Sequence, residues 1–580
     1  MKKLAYSELL SEHKNLQKSF DKSNTYNIGV ISNTIVNQFK EIIEYNLLIN
    51  NIYSKVTLGD YDNIVQDSIK FKEYDLVVIF WDICNIIDGF QYEIELYDNK
   101  TIDEVINKIK NEINLVFKNL SKSSLVIFNS FSDLSFSSLD IQKNKLNYLK
   151  DNLNTFLENN LPENFKLINI EKIFCKIGLD NSFDYRFFYS SKSLYSIEFY
   201  KSYTLHISPL ILAVKGKSKK ALIFDCDNTL WKGILGEDGF NGIEMSKHSK
   251  NGKIFHEIQK IAITLNKKGI LLGLCSKNNQ SDVDEVIKNH PGMLLNDDVL
   301  TIKKVNWIDK ASNLLEISKE LNIGLDSIVF IDDSSFEINL IKEQLPDIIT
   351  IQVPVKLYNY PKLLRENVSL FHNLSYSNED LQKSKMYKEQ VIRNSEKNNF
   401  NSIEDYLSSL QLKIKVYDNE KSIIPRMSQM TQKTNQFNLT TKRYTEKDIE
   451  NFIDDSSFNI LSWSVDDKFG ENGITGLCII NLLLDKKIAI IDTYLMSCRI
   501  IGRNIEFSIM DYIIDSLKKI GINKVSASFI ETAKNSQVKD FYKKNSFIQS
   551  TKTKNQINFE LLIDNYTYHY INYIKIENGK

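Results

Sequence analysis

Three short apolar runs, ALIF, ILLGLC and SIVFI, end in Asp225, in Ser276 and in the pair Asp332-Asp333. Apolar runs of about four to eight residues without polar alternation read as strands buried on both faces, which is the habit of parallel sheets. A fourth run, IITIQVP, follows, and helical patterns fill the intervals, notably Lys310 to Leu321. Alternating strands and helices imply one parallel sheet. Its strand ends share one edge, where ligands bind in open α/β folds. The polar endings are thereby expected to meet.

The same alternation precedes this unit. Tyr26–Ser32, Tyr74–Trp81, Ser124–Asn129 and Phe165–Ile170 read as strands, with a helix over Thr101–Asn119. A helical stretch, Ile197–Val214, leads into the basic linker KGKSKK. From Ser402 onward the pattern changes. LKIKVYD, NILSWSVDDK, GITGLCIIN and KIAIIDTYLMS read as antiparallel strands, followed by a helix over Asn504–Ile520, the strand KVSASFI and a short helix over Val538–Lys544. The expected fold class is α/β multidomain: α/β over 1–215, a second parallel-sheet unit over 216–355, a polar helical connector over 356–400 and an α+β domain over 401–580.

The 580 residues hold 73 Lys plus Arg against 74 Asp plus Glu, a net charge of -1, so nothing in the whole-chain charge points to nucleic acid. Six cysteines are scattered without a C-x-x-C pair, which speaks against a zinc ribbon and for a reducing compartment. The opening residues are charged, without an apolar signal core, and no apolar run approaches the roughly 18 residues of a membrane span. A soluble cytoplasmic protein without a membrane partner is expected.

The chemistry concentrates in Asp225-Cys226-Asp227-Asn228-Thr229. Two carboxylates two residues apart at a strand end can divide nucleophile from general acid/base. Paired carboxylates repel, and a hard cation with oxygen ligands, Mg²⁺, relieves that. Asp332 and Asp333 supply further ligands, Ser276 a hydroxyl and an N–H for a phosphate oxygen, and Lys310 a cation for the transferring phosphoryl group.

These motifs resemble those of the haloacid dehalogenase-like phosphatases. The resemblance implies Asp225 as nucleophile and metal ligand, Asp227 as acid/base and as a ligand through its carbonyl, Thr229 as support of the phosphate-binding loop, Ser276 and Lys310 on the phosphoryl group, and Asp332 and Asp333 at the metal. Only about 50 residues separate Asp225 from Ser276, too few for a large cap. DCDNTLWKGILGEDG, CSKNN, NWIDKASN, ELNIGLDSIVFIDDSSFE, QMTQKTNQFNLTTKRY and MSCRIIGRNIE further resemble the blocks of the FkbH-like subfamily. That resemblance implies conversion of 1,3-bisphosphoglycerate into glyceryl-acyl carrier protein for polyketide, tetronate or surface-glycan synthesis. The carrier is expected to act in trans. Cys275, beside Ser276, is the candidate for a transient glyceryl thioester, with a small buried hydrophobe as the other reading. Cys226 is expected to face the core. A plain Mg²⁺ phosphatase of a soluble metabolite and an acyltransferase with a regulatory phosphatase-like domain are the rival functions.

The C-terminal block resembles the Gcn5-related N-acetyltransferase (GNAT) fold. Its Arg499-Ile500-Ile501-Gly502-Arg503-Asn504 stretch matches a pyrophosphate loop at a helix N-terminus, apart from Asn504 in place of a small residue. Arg499, Gly502 and Arg503 are candidates for carrier or CoA binding, and Tyr542 for a proton donor or a core aromatic. Cys498 is a packing residue or an acyl acceptor. MTQKTNQFNLTTKRY reads either as a polar network around an acyl or pantetheine group or as a capped helix end with an edge strand. The N-terminal part weakly resembles SGNH hydrolases. It lacks the G-D-S nucleophile block and a D-x-x-H partner, so a structural or docking role is expected, with Trp81 and Asp82 as surface contacts.

Overall fold

The computed structural model describes residues 4–579 except 21, 23, 24, 88, 137–142, 375–377, 398, 399, 401, 533 and 554. The chain divides into two compact units.

The first unit runs to Ile211 and takes in Tyr444–Asn451. Its strands are β1 (Tyr26–Ser32), β2 (Ser54–Leu58), β3 (Leu76–Phe80), β4 (Val126–Asn129) and β5 (Phe165–Ile168). They pair in parallel in the order β2-β1-β3-β4-β5. This is a doubly wound sheet, and β3 is buried along its whole length, as its unbroken apolar run requires. The distant segment is tied in by the Ser124 hydroxyl, which donates to Asp448 at 2.6 Å.

The second unit holds Leu212–Arg443 and Phe452–Lys580. Its first sheet contains β6 (Ala221–Phe224), β7 (Leu271–Ser276), β8 (Leu300–Val305), β9 (Ile328–Asp332) and β10 (Ile349–Gln352). All pairs are parallel, in the order β10-β9-β6-β7-β8. Alternate residues feed two cores. Leu222, Phe224, Leu272 and Leu274 enter one, and Ala221, Ile223, Leu271 and Cys275 the other. This is the period of two that a strand imposes.

The C-terminal sheet comprises β11 (Leu412–Asp418), β12 (Phe437–Asn438), β13 (Phe458–Asp467), β14 (Gly470–Leu483), β15 (Ile488–Met496), β16 (Lys524–Ile530), β17 (Ile548–Lys552), β18 (Gln556–Leu562) and β19 (Ile574–Asn578). It is mixed, in the order β17-β18-β16-β15-β14-β13-β11-β19, with β12 paired to β15. The pair β15 and β16 is parallel only over Ile488–Ile491, and the helix Ile505–Lys519 connects them. The α+β expectation holds.

The stretch expected as a polar connector is more deeply packed than its composition suggests. In the helix Asn378–Lys397, Met386, Tyr387, Asp380 and Arg393 are buried. Arg393 is matched by Asp467 at 2.9 Å, so its charge is compensated. No helix among the described residues is long and apolar enough to cross a membrane.

Candidate active site

Register brings the acidic residues together. Phe224 on β6 pairs with Leu274 on β7 and Ile331 on β9, so Asp225 lies beside Asp332, and its N–H donates to the Ile331 carbonyl at 2.9 Å. The chain then turns sharply through Asn228, whose φ of 51° lies in the left-handed region that Asn tolerates. The Asn228 carboxamide oxygen accepts from Gly233 N at 3.2 Å and Lys232 Nζ at 2.9 Å, which fixes the loop.

Lys310 opens the helix Lys310–Glu320, capped by Asp309 through Ser312 N. Its Nζ lies 2.6 Å from Asp332 Oδ2 and 3.2 Å from Asp225 Oδ1. All three residues are buried. Burial pushes both carboxyls up, while Lys310 and, for Asp225, the Ser276 hydroxyl pull them back. Burial alone would lower the Lys310 ammonium, but the two carboxylates hold it above its ordinary value. One ammonium faces two carboxylates, and Asp333 adds a third, pushed up by burial and by Asp332. Oxygens of Asp225, Asp332 and Asp333 all lie within 4.8 Å of one another. An excess of hard, closely spaced oxygen donors fits Mg²⁺.

Asp227 points elsewhere. Its carboxylate accepts from Trp231 Nε1 at 2.9 Å, Leu235 N at 3.0 Å and Asn278 Nδ2 at 2.8 Å. Its carboxylate stands outside the cluster of Asp225, Asp332 and Asp333. Trp231 and Asn278 were not singled out from the sequence, although both stand inside the quoted blocks. Thr229 is fully enclosed under the loop, and its N–H donates to the Cys226 carbonyl at 3.1 Å.

The expectation for Cys275 is corrected. Neighbours on a strand face opposite ways, and Cys275 packs with Ala311 and Leu314 of the Lys310 helix, with no exposure. Its Sγ lies 3.7 Å from the Lys310 carbonyl, and burial pushes the thiol well up. A thiol without solvent access and disfavoured as thiolate is a core residue. Cys226 is buried in the other core, as expected.

The interval between β6 and β7 holds a four-residue helix, Leu235–Asp238, and the helix Gly252–Asn266. That interval holds no large cap, and exposed aromatic side chains follow the neighbouring strands. Trp307 (71 % exposed) follows β8, Phe336 (69 %) follows β9 and Tyr358 (69 %) follows β10. In a parallel sheet all three lie on the edge that carries Asp225.

Three expectations in the flanking parts are also corrected. Arg503 is inward-facing, and Arg499, although buried, lines a cavity of the same unit. Arg503 pairs with Asp467 at 2.8 Å and donates to Gln390 at 3.0 Å and to the Arg499 carbonyl at 2.7 Å. Arg499 packs on Met386 and donates to the Asn472 carbonyl at 3.2 Å. Gly502 keeps its left-handed φ of 81° at the helix entrance, and Asn504 donates to the Tyr573 hydroxyl at 2.7 Å. Tyr542 is fully buried among Phe547 and Phe559, a core aromatic. The chain itself closes the gap where β15 and β16 part. β12 pairs with Leu495 and Met496, Leu439 N donates to the Tyr494 carbonyl at 3.1 Å, and Ile530 N donates to the Leu439 carbonyl at 2.8 Å. The amide-rich segment is thus a helix end and an inserted strand. In the first unit, Trp81 and Asp82 are buried rather than surface contacts. Asp82 accepts from the Tyr195 hydroxyl and from Cys84 N, which consumes its carboxylate locally.

No family model and no curated protein matches the chain. Among solved structures, it is similar to the N-terminal part of a Bacteroides fragilis protein that contains a phosphatase domain, complexed with Mg. The identity is 25 %, the match covers 64 % of this chain and 100 % of that one, and the TM-score is 0.56. It also aligns with the ribosomal-protein-S18-alanine N-acetyltransferase of Escherichia coli, at 15 % identity over 27 % of this chain and 98 % of that one, with a TM-score of 0.21. A spermidine N-acetyltransferase of Vibrio cholerae aligns at 12 % identity over 27 % of this chain and 95 % of that one, again with a TM-score of 0.21. The acidic cluster at the strand ends thus sits on a fold that this chain shares with a phosphatase domain.

Proposed function

We propose that the protein is an Mg²⁺-dependent enzyme of phosphoryl chemistry that makes glyceryl-acyl carrier protein from 1,3-bisphosphoglycerate. The observation that carries the phosphoryl chemistry is Lys310 set between Asp225 and Asp332 beside Asp333, at an edge without a large cap.

In this reading the Asp225 carboxylate attacks phosphorus, and Ser276 and Lys310 hold the phosphoryl oxygens. Asp227, steadied by three donors, protonates the leaving oxygen and then takes a proton from water. Asp225, Asp332 and Asp333 would hold Mg²⁺, which when bound offsets negative charge on the phosphoryl oxygens. The acyl phosphate is already activated. The carrier's thiol displaces phosphate from it, forming a C–S bond as the C–O bond breaks, while the inert monoester needs the aspartate machinery. The exposed Trp307, Phe336 and Tyr358 around the edge support a substrate presented by another protein, since exposed apolar groups clustered at a site favour docking. The cysteine pattern supports a cytoplasmic setting. The chain's own strand in the gap between β15 and β16 weighs against a free-standing acetyltransferase.

Intact-mass spectrometry of a phosphopantetheinylated carrier, incubated with the protein, Mg²⁺ and fresh 1,3-bisphosphoglycerate, tests the reading. A glyceryl mass gain that depends on Asp225 is expected. A phosphoglyceryl gain with Asp225→Asn places thioester formation first. Phosphate release that needs Asp225, without any mass gain on several carriers, replaces the proposal with a plain phosphatase.

A further inference from the structure

A second site lies at the opposite edge of the central sheet. A cavity of 270 Å³ is lined by Lys220, which precedes β6, and by Asn322–Asp326, which precede β9. Asp225 and Asp332 stand at the other ends of those strands. The two sites are a strand's length apart, about 15 Å.

The cavity wall concentrates positive charge. Lys220, Lys383, Arg426, Lys433 and Arg499 all line it, and they come from four separate stretches of the chain. Their hydrogen bonds go mostly to neutral acceptors. Lys220 donates to the Lys433 carbonyl at 2.6 Å, and Arg426 to the Ile474 carbonyl at 3.0 Å and to Gln429. Lys433 has Asp380 at 3.7 Å, but that carboxylate also accepts from Gln429 at 2.7 Å. Among the described residues, Lys383 makes neither a hydrogen bond nor an ion pair. Asp326 is engaged by Lys534, and Glu379 and Asp347 also line the cavity, so six cations face four acids. Burial, then mutual repulsion and for Lys433 only partly offset by Asp380, pulls these amines down, Lys433 to about 8 and Lys383 well below its ordinary value. Carbonyl acceptors satisfy N–H groups without cancelling charge, and a surplus of half-buried cations over acids is costly. Such a cluster is stable when an anion completes it. A multiply charged oxyanion does so best, since ammonium groups and an arginine fork match it. Met386, Tyr387 and Met430 supply an uncharged wall. The volume lies near the lower end of small-molecule sites.

We propose that this cavity binds a phosphate-bearing small molecule, its phosphate held by Lys383, Lys433 and Arg426 and its uncharged part against Met386, Tyr387 and Met430.

The test uses pyrophosphate as probe, titrated without magnesium into the full-length protein, by calorimetry and by thermal unfolding at constant ionic strength. Saturable binding at or below about 1 mM is expected. Lys383→Met weakens it at least about tenfold and removes the rise in melting temperature that a ligand of the native state produces. Lys310→Met, at the acidic edge, leaves it within about twofold. Without pyrophosphate, Lys383→Met unfolds at no lower temperature than the unaltered protein, because it removes an uncompensated cation. If that variant fails to fold, Lys383→Gln reads the same quantity. Three outcomes overturn the proposal: no saturable binding, binding lost in Lys310→Met but kept in Lys383→Met, or an equal response to sulfate at the same ionic strength.

Discussion

Lys310 and Asp332 are joined at 2.6 Å across the ends of two adjacent elements, both almost completely buried. Removing the lysine leaves Asp332 and Asp225 facing each other without a counter-charge. Lys310→Met should cost about 3–5 kcal/mol of stability without Mg²⁺ and about 10²–10³-fold in phosphate release. Mg²⁺ should restore part of the stability and none of the activity. Denaturant titration with and without Mg²⁺, beside phosphate release, checks both. A variant as stable as the parent in chelator would show that the lysine carries no structural load.

Asp227→Asn should uncouple loop geometry from proton transfer. The carboxylate accepts from three donors, and an amide presents N–H groups to at least one of them. A loss of about 1–3 kcal/mol is expected from the mismatched donor, together with loss of turnover. A substrate with a very acidic leaving group needs no proton from Asp227 and should retain a larger share of its rate. Equal losses for acidic and basic leaving groups would remove the general-acid assignment.

Cys275→Ala should leave carrier loading unchanged and lower stability by about 1–2 kcal/mol, through the small cavity it opens between β7 and the Lys310 helix. Intact-mass loading and a melt on the same sample separate the two effects. Loss of loading with stability intact would restore the thioester role.

Glu506 predicts a pH effect. Burial, only partly opposed by a backbone N–H and Lys544, raises its carboxyl above the usual carboxylate range, and its Oε2 has no partner among the described residues. The folded state then holds a proton that the unfolded chain has released. Stability from this group is complete below the unfolded value near 4.5 and declines as pH rises through the folded value. Glu506→Gln should flatten that decline and unfold at higher denaturant than the parent at pH about 7.5. Parallel pH profiles for the two proteins would contradict it.

Much of the acidic site was legible because it is local. Each of Asp225, Ser276 and Asp332 directly follows an apolar strand, and parallel strands bring such endings to one edge. Lys310 was legible as the opening of a helix. Asn278 and Trp231 were not, because a hydrogen bond to Asp227 leaves no periodic mark. The second cavity was invisible for a stronger reason. Lys220, Lys383, Arg426 and Lys433 read one by one as a linker lysine, helix-surface charges and a helix-end lysine. Only packing shows that they share one enclosure.

The sequence by itself determined the class of sheet, the edge of the acidic centre and its chemistry, since strand period and turn residues act over a few neighbours. Tertiary structure alone decided which side of a strand each neighbour serves and which charges are left unanswered. Ser276 and Cys275 are adjacent, yet the hydroxyl of one pulls the Asp225 carboxyl down and the other is sealed in a core. Arg503 reads as a phosphate-loop cation, yet it is already paired with Asp467. Burial and pairing depend on what the rest of the chain brings to the same place, and no short-range pattern encodes that.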